Sequence, residues 1–147
     1  MNKSIIAHTP TEMEEIGVDL ASILRDGMVV SLVGPLGSGK TTLTKGIAKG
    51  LLIVEVVVSP SYMIARRYEG RLPLHHIDAY RLSSLDELLE AGLGEILPPD
   101  AGVSVVEWPD RIPGLVEISD VLVQIDAREG EDRRVSISTR SRSVRPS

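Results

Sequence analysis

Between a valine-rich run and a helix-forming segment lies Gly34-Pro35-Leu36-Gly37-Ser38-Gly39-Lys40-Thr41, which meets the pattern G-x-x-x-x-G-K-[ST] at every required position. The residue types state the chemistry. Glycines let successive backbone N–H groups turn inward around a polyphosphate, and a helix opening at Lys40 aims its positive end at the same anion. Lys40 brings a point charge to the β- and γ-phosphates, and the Thr41 hydroxyl is a ligand for Mg²⁺. The stretch from Gly37 through Ser38 and Gly39 to Thr42 is expected to bind the nucleotide. A random chain of this length carries such a pattern less than about one time in a hundred.

Phosphate chemistry of this kind uses a carboxylate near the metal, usually at the end of a buried strand. Two apolar runs end that way: Val103-Ser104-Val105-Val106 delivers Glu107, and Leu74-His75-His76-Ile77 delivers Asp78. If both strands run parallel to the one before the glycine loop, both carboxylates reach the sheet's carboxyl edge beside it. Hard oxygen ligands suit Mg²⁺ and its retained waters. His75 and His76 are neighbours, so they face opposite sides of a strand and read as structural residues, not a chelating pair. Trp108 directly follows Glu107, with packing, a lid over the nucleotide and a partner contact all open to it. Ser59-Pro60-Ser61-Tyr62 follows a strand where a γ-phosphate-sensing switch would sit, although its composition alone suits an ordinary turn.

These residues need elements to hold them. Thr9-Pro10-Thr11-Glu12 is a capping box with proline at the first helical position. Apolar residues at Met13, Ile16, Leu20, Ile23 and Leu24 then recur at helical spacing, until Asp26-Gly27 stops the helix. Met28 to Val33 is a short, nearly continuous apolar run, as in a strand buried on both faces. A helix follows from Lys40 to Leu51, and Val54 to Val58 reads as another strand. Tyr62 to Tyr68 and Leu74 to Asp78 pair as strands around Glu69-Gly70-Arg71. Ser84-Leu85-Asp86-Glu87 opens a further helix, which ends near Ala91-Gly92. Gly102 to Glu107, Ile118 to Ile125 and Arg134 to Thr139 complete the strands. Strand and helix alternate only in the first half, so the expected fold is α/β with a mixed sheet covered by helices.

The 147 residues are one domain's worth, placed at 1–140, with 141–147 a basic and flexible tail. Apolar residues at 42% and charged residues at 25% exclude bulk disorder. The absence of cysteine excludes disulfides, thiolate nucleophiles and Cys-based zinc. No apolar run approaches the ~20 residues that span a bilayer, and no secretory leader is evident, so a cytoplasmic protein without a membrane partner is expected. Up to Asp132 the chain carries 11 basic and 21 acidic residues, and five arginines follow. A body of net −10 argues against broad nucleic-acid binding through its own surface.

Together these residues resemble the TsaE (YjeE) family of small bacterial P-loop ATPases. The resemblance spans nearly the whole chain and rests on five stretches. They are Gly34 to Thr42, Ser59 to Tyr62, His76-Ile77-Asp78-Ala79-Tyr80-Arg81-Leu82, Glu87 to Gly94, and Val106-Glu107-Trp108-Pro109. It implies a P-loop NTPase fold, three layers with a mainly parallel sheet. It also implies a role in the threonylcarbamoyl modification of the tRNA adenosine beside the anticodon. In that system the family looks like the ATPase partner of the TsaD–TsaB transferase, reaching tRNA only indirectly. By position, Thr41 and Glu107 would hold Mg²⁺, Lys40 and Thr42 the phosphates of ATP, and Asp78 the metal or the attacking water. Ser61 stands where the family's switch threonine usually sits, and Arg134, with Arg133, matches a basic position near the base. Pro35 replaces a common aspartate and removes one amide donor. A small-molecule kinase would need an acceptor site and an arginine-bearing lid, for which only Arg66, Arg67 and Arg71 offer themselves. A GTPase would need a guanine-reading N-K-x-D or T-K-x-D, and Thr44-Lys45 is followed by Gly46-Ile47.

Overall fold

β-branched residues disfavour helix and fit a pleated surface, and Met28–Val33 forms the central strand of the sheet. The computed structural model describes residues 2–58, 64–128 and 130–140. In chain order the strands are β1 (Asn2–Ala7), β2 (Met28–Val33), β3 (Ala65–Tyr68), β4 (Leu74–Asp78), β5 (Val103–Glu107), β6 (Val121–Ala127) and β7 (Arg133–Thr139). The helices are α1 (Pro10–Ala21), α2 (Lys40–Gly50), α3 (Leu85–Glu90) and α4 (Leu115–Ile118), with a 3₁₀ turn at Pro109–Arg111. The described residues form one seven-stranded sheet in the order β1-β7-β6-β2-β5-β4-β3. Its middle is parallel, β2 lying between β5 and β6 with β4 beyond β5. The two flanks, β1-β7-β6 and β3-β4, are antiparallel. The expected mixed α/β sheet is therefore observed.

Helices cover both faces. Val30 and Leu32 look toward α1 and α2, in a core with Leu20, Leu43 and Ile47. Val29, Ile77 and Val106 look the other way, toward Leu88, Ile112 and Leu115. Each such fully buried aliphatic side chain contributes about 1.5–3 kcal/mol. Asp120 ties β2 to β6: its carboxylate accepts from the Val29 amide at 2.8 Å, and its own amide donates to the Val29 carbonyl at 2.9 Å. Among the described residues no helix is long and apolar enough to cross a membrane.

Both capping boxes form, with one refinement. Thr9 Oγ1 accepts from the Glu12 amide, and Ser84 Oγ from the Glu87 amide. Each glutamate reaches one residue further back than expected, to the His8 amide and to the Ser83 amide and hydroxyl. Helix α1 ends at Ala21, ahead of Asp26-Gly27. Ser22 donates back to Asp19, and Leu24 packs into the core from the following turn.

Three expectations need correction. Val54 to Val58 is not a strand: it pairs with none of the described strands, Ile53 and Val57 enter the core, and Val54 and Val56 are 95% and 78% exposed. β-branching favours an extended backbone, but without a partner edge there is no ladder. Ile118 closes α4 instead of opening a strand, and β6 begins at Val121. Strand β1 was not anticipated; it gains its partner only when β7, over a hundred residues away, is laid beside it. Of the segment expected over Tyr62 to Tyr68, β3 occupies Ala65–Tyr68, and 59–63 lie outside the described residues, as do 141–147.

Candidate nucleotide site

The glycine loop leaves β2 at Gly34 and turns through a Ser38 amide to Pro35 carbonyl bond of 3.1 Å. Gly39 ends it at φ 110°, a left-handed conformation that only glycine adopts without strain, and its carbonyl accepts the first helical bond from the Leu43 amide. Helix α2 then starts at Lys40, so its unpaired N-terminal amides face the loop.

Lys40 is 5% exposed. Its Nζ donates to the Gly34 carbonyl at 2.8 Å and lies 3.5 Å from the centre of the Trp108 ring. Burial pushes its pKa below the ordinary lysine value, while the charges of Glu107, Asp78 and Asp110 pull it back up. The cation thus waits on a carbonyl and an aromatic face, two partners that a phosphate would outbid.

Parallel pairing supplies the carboxylates. Glu107 ends β5 opposite Leu32 of β2 and Asp78 of β4, so both acids stand at the carboxyl edge beside the loop. Glu107 is buried and its Oε2 lies 2.5 Å from His76 Nε2. Asp78 is half-buried, and its Oδ1 accepts from the Tyr80 amide at 2.9 Å. Asp110, which the sequence reading did not single out, adds a third carboxylate acting on Lys40. The oxygen donors of Thr41, Glu107 and Asp78 are the hard ligands that Mg²⁺ accepts. Among the described residues no group of three His, Cys, Asp or Glu is gathered to hold a metal by itself.

Trp108 adopts a left-handed backbone, φ 59° and ψ 45°, at the junction between β5 and the 3₁₀ turn. Such a conformation costs a bulky residue about 1–3 kcal/mol. Its ring meets Tyr80 edge-on at 5.1 Å, and the Arg111 guanidinium stacks 4.6 Å from the Tyr80 ring. The tryptophan is therefore both packed and part of the site's wall.

A cleft of about 200 Å³ opens beside the loop, lined by Thr9, Met13, Gly39, Thr42, Glu131 and Arg133. The two arginines of β7 fall on opposite faces of the sheet. Buried Val135 and Ile137 look toward α1 and α2, so strand alternation sends Arg133 to that face and leaves Arg134 exposed on the opposite one. The alternation was present in the sequence, and it places Arg133 and not Arg134 beside the cleft. Both histidines are buried, as expected of structural residues, but His76 also touches a site carboxylate. Ser59 and Ser61 lie outside the described residues.

A strand, glycine loop and helix at the parallel centre of such a sheet define a P-loop nucleotide-binding fold. The family model described as threonylcarbamoyl adenosine biosynthesis protein TsaE matches residues 7–135. The chain belongs to that TsaE family. A relative from Streptomyces coelicolor, the tRNA threonylcarbamoyladenosine biosynthesis protein TsaE, is 47% identical over 81% of this chain and 82% of its own. The protein of that name from Bacillus subtilis is 40% identical over 85% and 77%, and that from Nostoc 40% over 77% and 71%. The crystal structure of Bacillus subtilis YdiB superposes with a TM-score of 0.76 at 30% identity, covering 95% of this chain and 86% of that one.

Proposed function

We propose that the chain is a Mg²⁺-dependent ATPase required for the threonylcarbamoyl modification of tRNA adenosine beside the anticodon. In this reading it acts on the TsaD–TsaB transferase pair through ATP binding and hydrolysis and does not itself transfer the group. One observation carries the ATPase part: Lys40 and Thr41 open α2 at the edge where β5 and β4 end in Glu107 and Asp78. Family membership supports the modification pathway.

Each residue has a role in this reading. Amides from Gly37 to Thr42 cradle the phosphates, and Lys40 leaves the Gly34 carbonyl to meet the β- and γ-phosphates. Thr41 and Glu107 hold the ion, and Asp78 positions the metal or the attacking water. A bound Mg²⁺ would neutralise charge on the β- and γ-oxygens as the phosphoryl group transfers. Arg133, in place of Arg134, faces the cleft that leads away from the phosphates. Ser59 and Ser61 are assigned the γ-phosphate-sensing hydroxyls and, with Trp108, a part in partner contact.

The test is an ATPase assay with and without the TsaD–TsaB pair, beside a modification assay on tRNA. Hydrolysis is expected to be slow alone and to rise with the pair, and the Trp108→Ala chain should lose that response more than it loses ATP binding. The reading fails if the chain alone forms the modified nucleoside, or if the pair changes neither its binding nor its hydrolysis.

A further inference from the structure

Of the buried polar residues that the roles just proposed leave unused, His76 is the one that lies against a site carboxylate. His76 is completely inaccessible to solvent in the middle of β4, a position where an aliphatic side chain would pack without needing a hydrogen bond. Its Nε2 lies 2.5 Å from Glu107 Oε2, whereas its buried Nδ1 has no partner. A neutral imidazole carries one donor and one acceptor. Putting the proton on Nε2 makes Glu107 the acceptor and leaves only a lone pair at Nδ1, whereas the other tautomer would strand a buried N–H and set a lone pair against a carboxylate.

Strand pairing explains the reach. His76 stands opposite Val105, and Asp78 opposite Glu107. His76 and Glu107 are therefore diagonal neighbours on adjacent strands, two residues offset on the same face, within reach of long side chains. A glutamate at a strand end has several rotamers; the imidazole holds Glu107 in one and occupies Oε2. The oxygen left for an ion is Oε1.

We infer that His76 is a positioning residue, fixing the Glu107 carboxylate so that Oε1 meets the divalent ion of the nucleotide complex. This rests on the metal role proposed for Glu107. Outer partners of metal ligands are worth roughly 10–100-fold in metal affinity.

The experiment follows Mg²⁺ binding directly. Trp108, the single tryptophan of the chain, lies next to Glu107 and 3.5 Å from Lys40, so its fluorescence reports on the site. Mg²⁺ is titrated into the full chain with a fixed concentration of non-hydrolysable ATP analogue, and a parallel nucleotide titration is run in chelator. The His76→Leu chain should need at least about tenfold more Mg²⁺ at half-saturation, with metal-free nucleotide affinity unchanged. The His76→Gln chain, whose amide can donate from near the Nε2 position, should recover most of the loss. Should His76→Leu not fold, His76→Asn, whose amide stops short of Glu107, takes its place. A wild-type half-point in His76→Leu while Glu107→Gln raises it would overturn the positioning role alone. So would a His76→Gln chain as impaired as His76→Leu. An unchanged half-point in Glu107→Gln would instead overturn the metal role of Glu107 on which the inference depends.

Discussion

At Lys40, binding chemistry and folding stability pull against each other. A cation 5% exposed, resting on a carbonyl and an indole, is poorly solvated. Burial lowers its pKa despite three nearby carboxylates, so the folded chain releases this proton before the unfolded chain does, below the ordinary value of 10.5. The unfolded state then binds more protons, and the stability linked to Lys40 rises with pH between the folded pKa and 10.5. If Lys40 meets the phosphates as proposed, phosphate affinity should move the other way over the same window, since a neutral amine offers no charge. Titrations of ATP at increasing alkaline pH should show affinity falling before the ordinary lysine range is reached. The Lys40→Met chain keeps the stem and removes the charge. Its nucleotide-free melting temperature should equal or exceed the wild type by up to a few degrees, while turnover falls by orders of magnitude. A clear loss of stability would mean that attraction from Glu107, Asp78 and Asp110 outweighs burial.

At the scale of elements, the phosphate loop is held by the crossing of α1 and α2. Gly17 and Gly46 meet there: a Cβ on Gly46 would fall 1.9 Å from the Glu14 carbonyl oxygen, and one on Gly17 2.2 Å from that of Leu43. Glycine-to-alanine in a helix normally gains about 1 kcal/mol. Here the sign reverses, because backbone cannot move aside without separating the helices. Gly46→Ala should cost about 1–3 kcal/mol in chemical denaturation, and ATP affinity should fall as well, since α2 carries Lys40 and Thr41 at its start. Unchanged denaturation and ATP binding would show that the crossing relaxes freely. Some of this architecture was legible beforehand. Thr9 and Ser84 cap their helices as the local pattern indicated, because a cap is written in four consecutive residues. Val54 to Val58 misled, because β-branching describes a willing strand but not an available edge.

Charge and ligand linkage act on the whole molecule. The body carries net −10 up to Asp132, so phosphate backbones are repelled except where the loop gathers amides and Lys40. Anisotropy with labelled tRNA at physiological salt should show no tight binding by the chain alone. Sub-micromolar affinity would contradict the charge argument. If ATP with Mg²⁺ binds the folded state and not the unfolded one, as the proposed function requires, it stabilises the fold. At one hundred times its dissociation constant it should therefore add about 2.7 kcal/mol, a rise of roughly 5–10 °C in melting temperature for a chain of this size. The Lys40→Met chain should lose most of that increment.

By itself the sequence determined the loop from Gly34 to Thr42, the strand before it and the helix after it. That information is local: glycines, lysine and hydroxyl stand in one consecutive stretch, and the β2 and α2 patterns abut it. It also named Glu107 and Asp78 as carboxylates at strand ends, though only on the condition that their strands run parallel to β2. Tertiary structure met that condition, placing β5 directly against β2 and β4 against β5. It alone decided that His76 reaches Glu107, that the Trp108 ring lies on Lys40, and that β1 and α1 help wall the cleft. Each of these depends on strand order and register between segments far apart in the chain. Those are set by which edges pair and which faces bury, and no consecutive window of residues contains them.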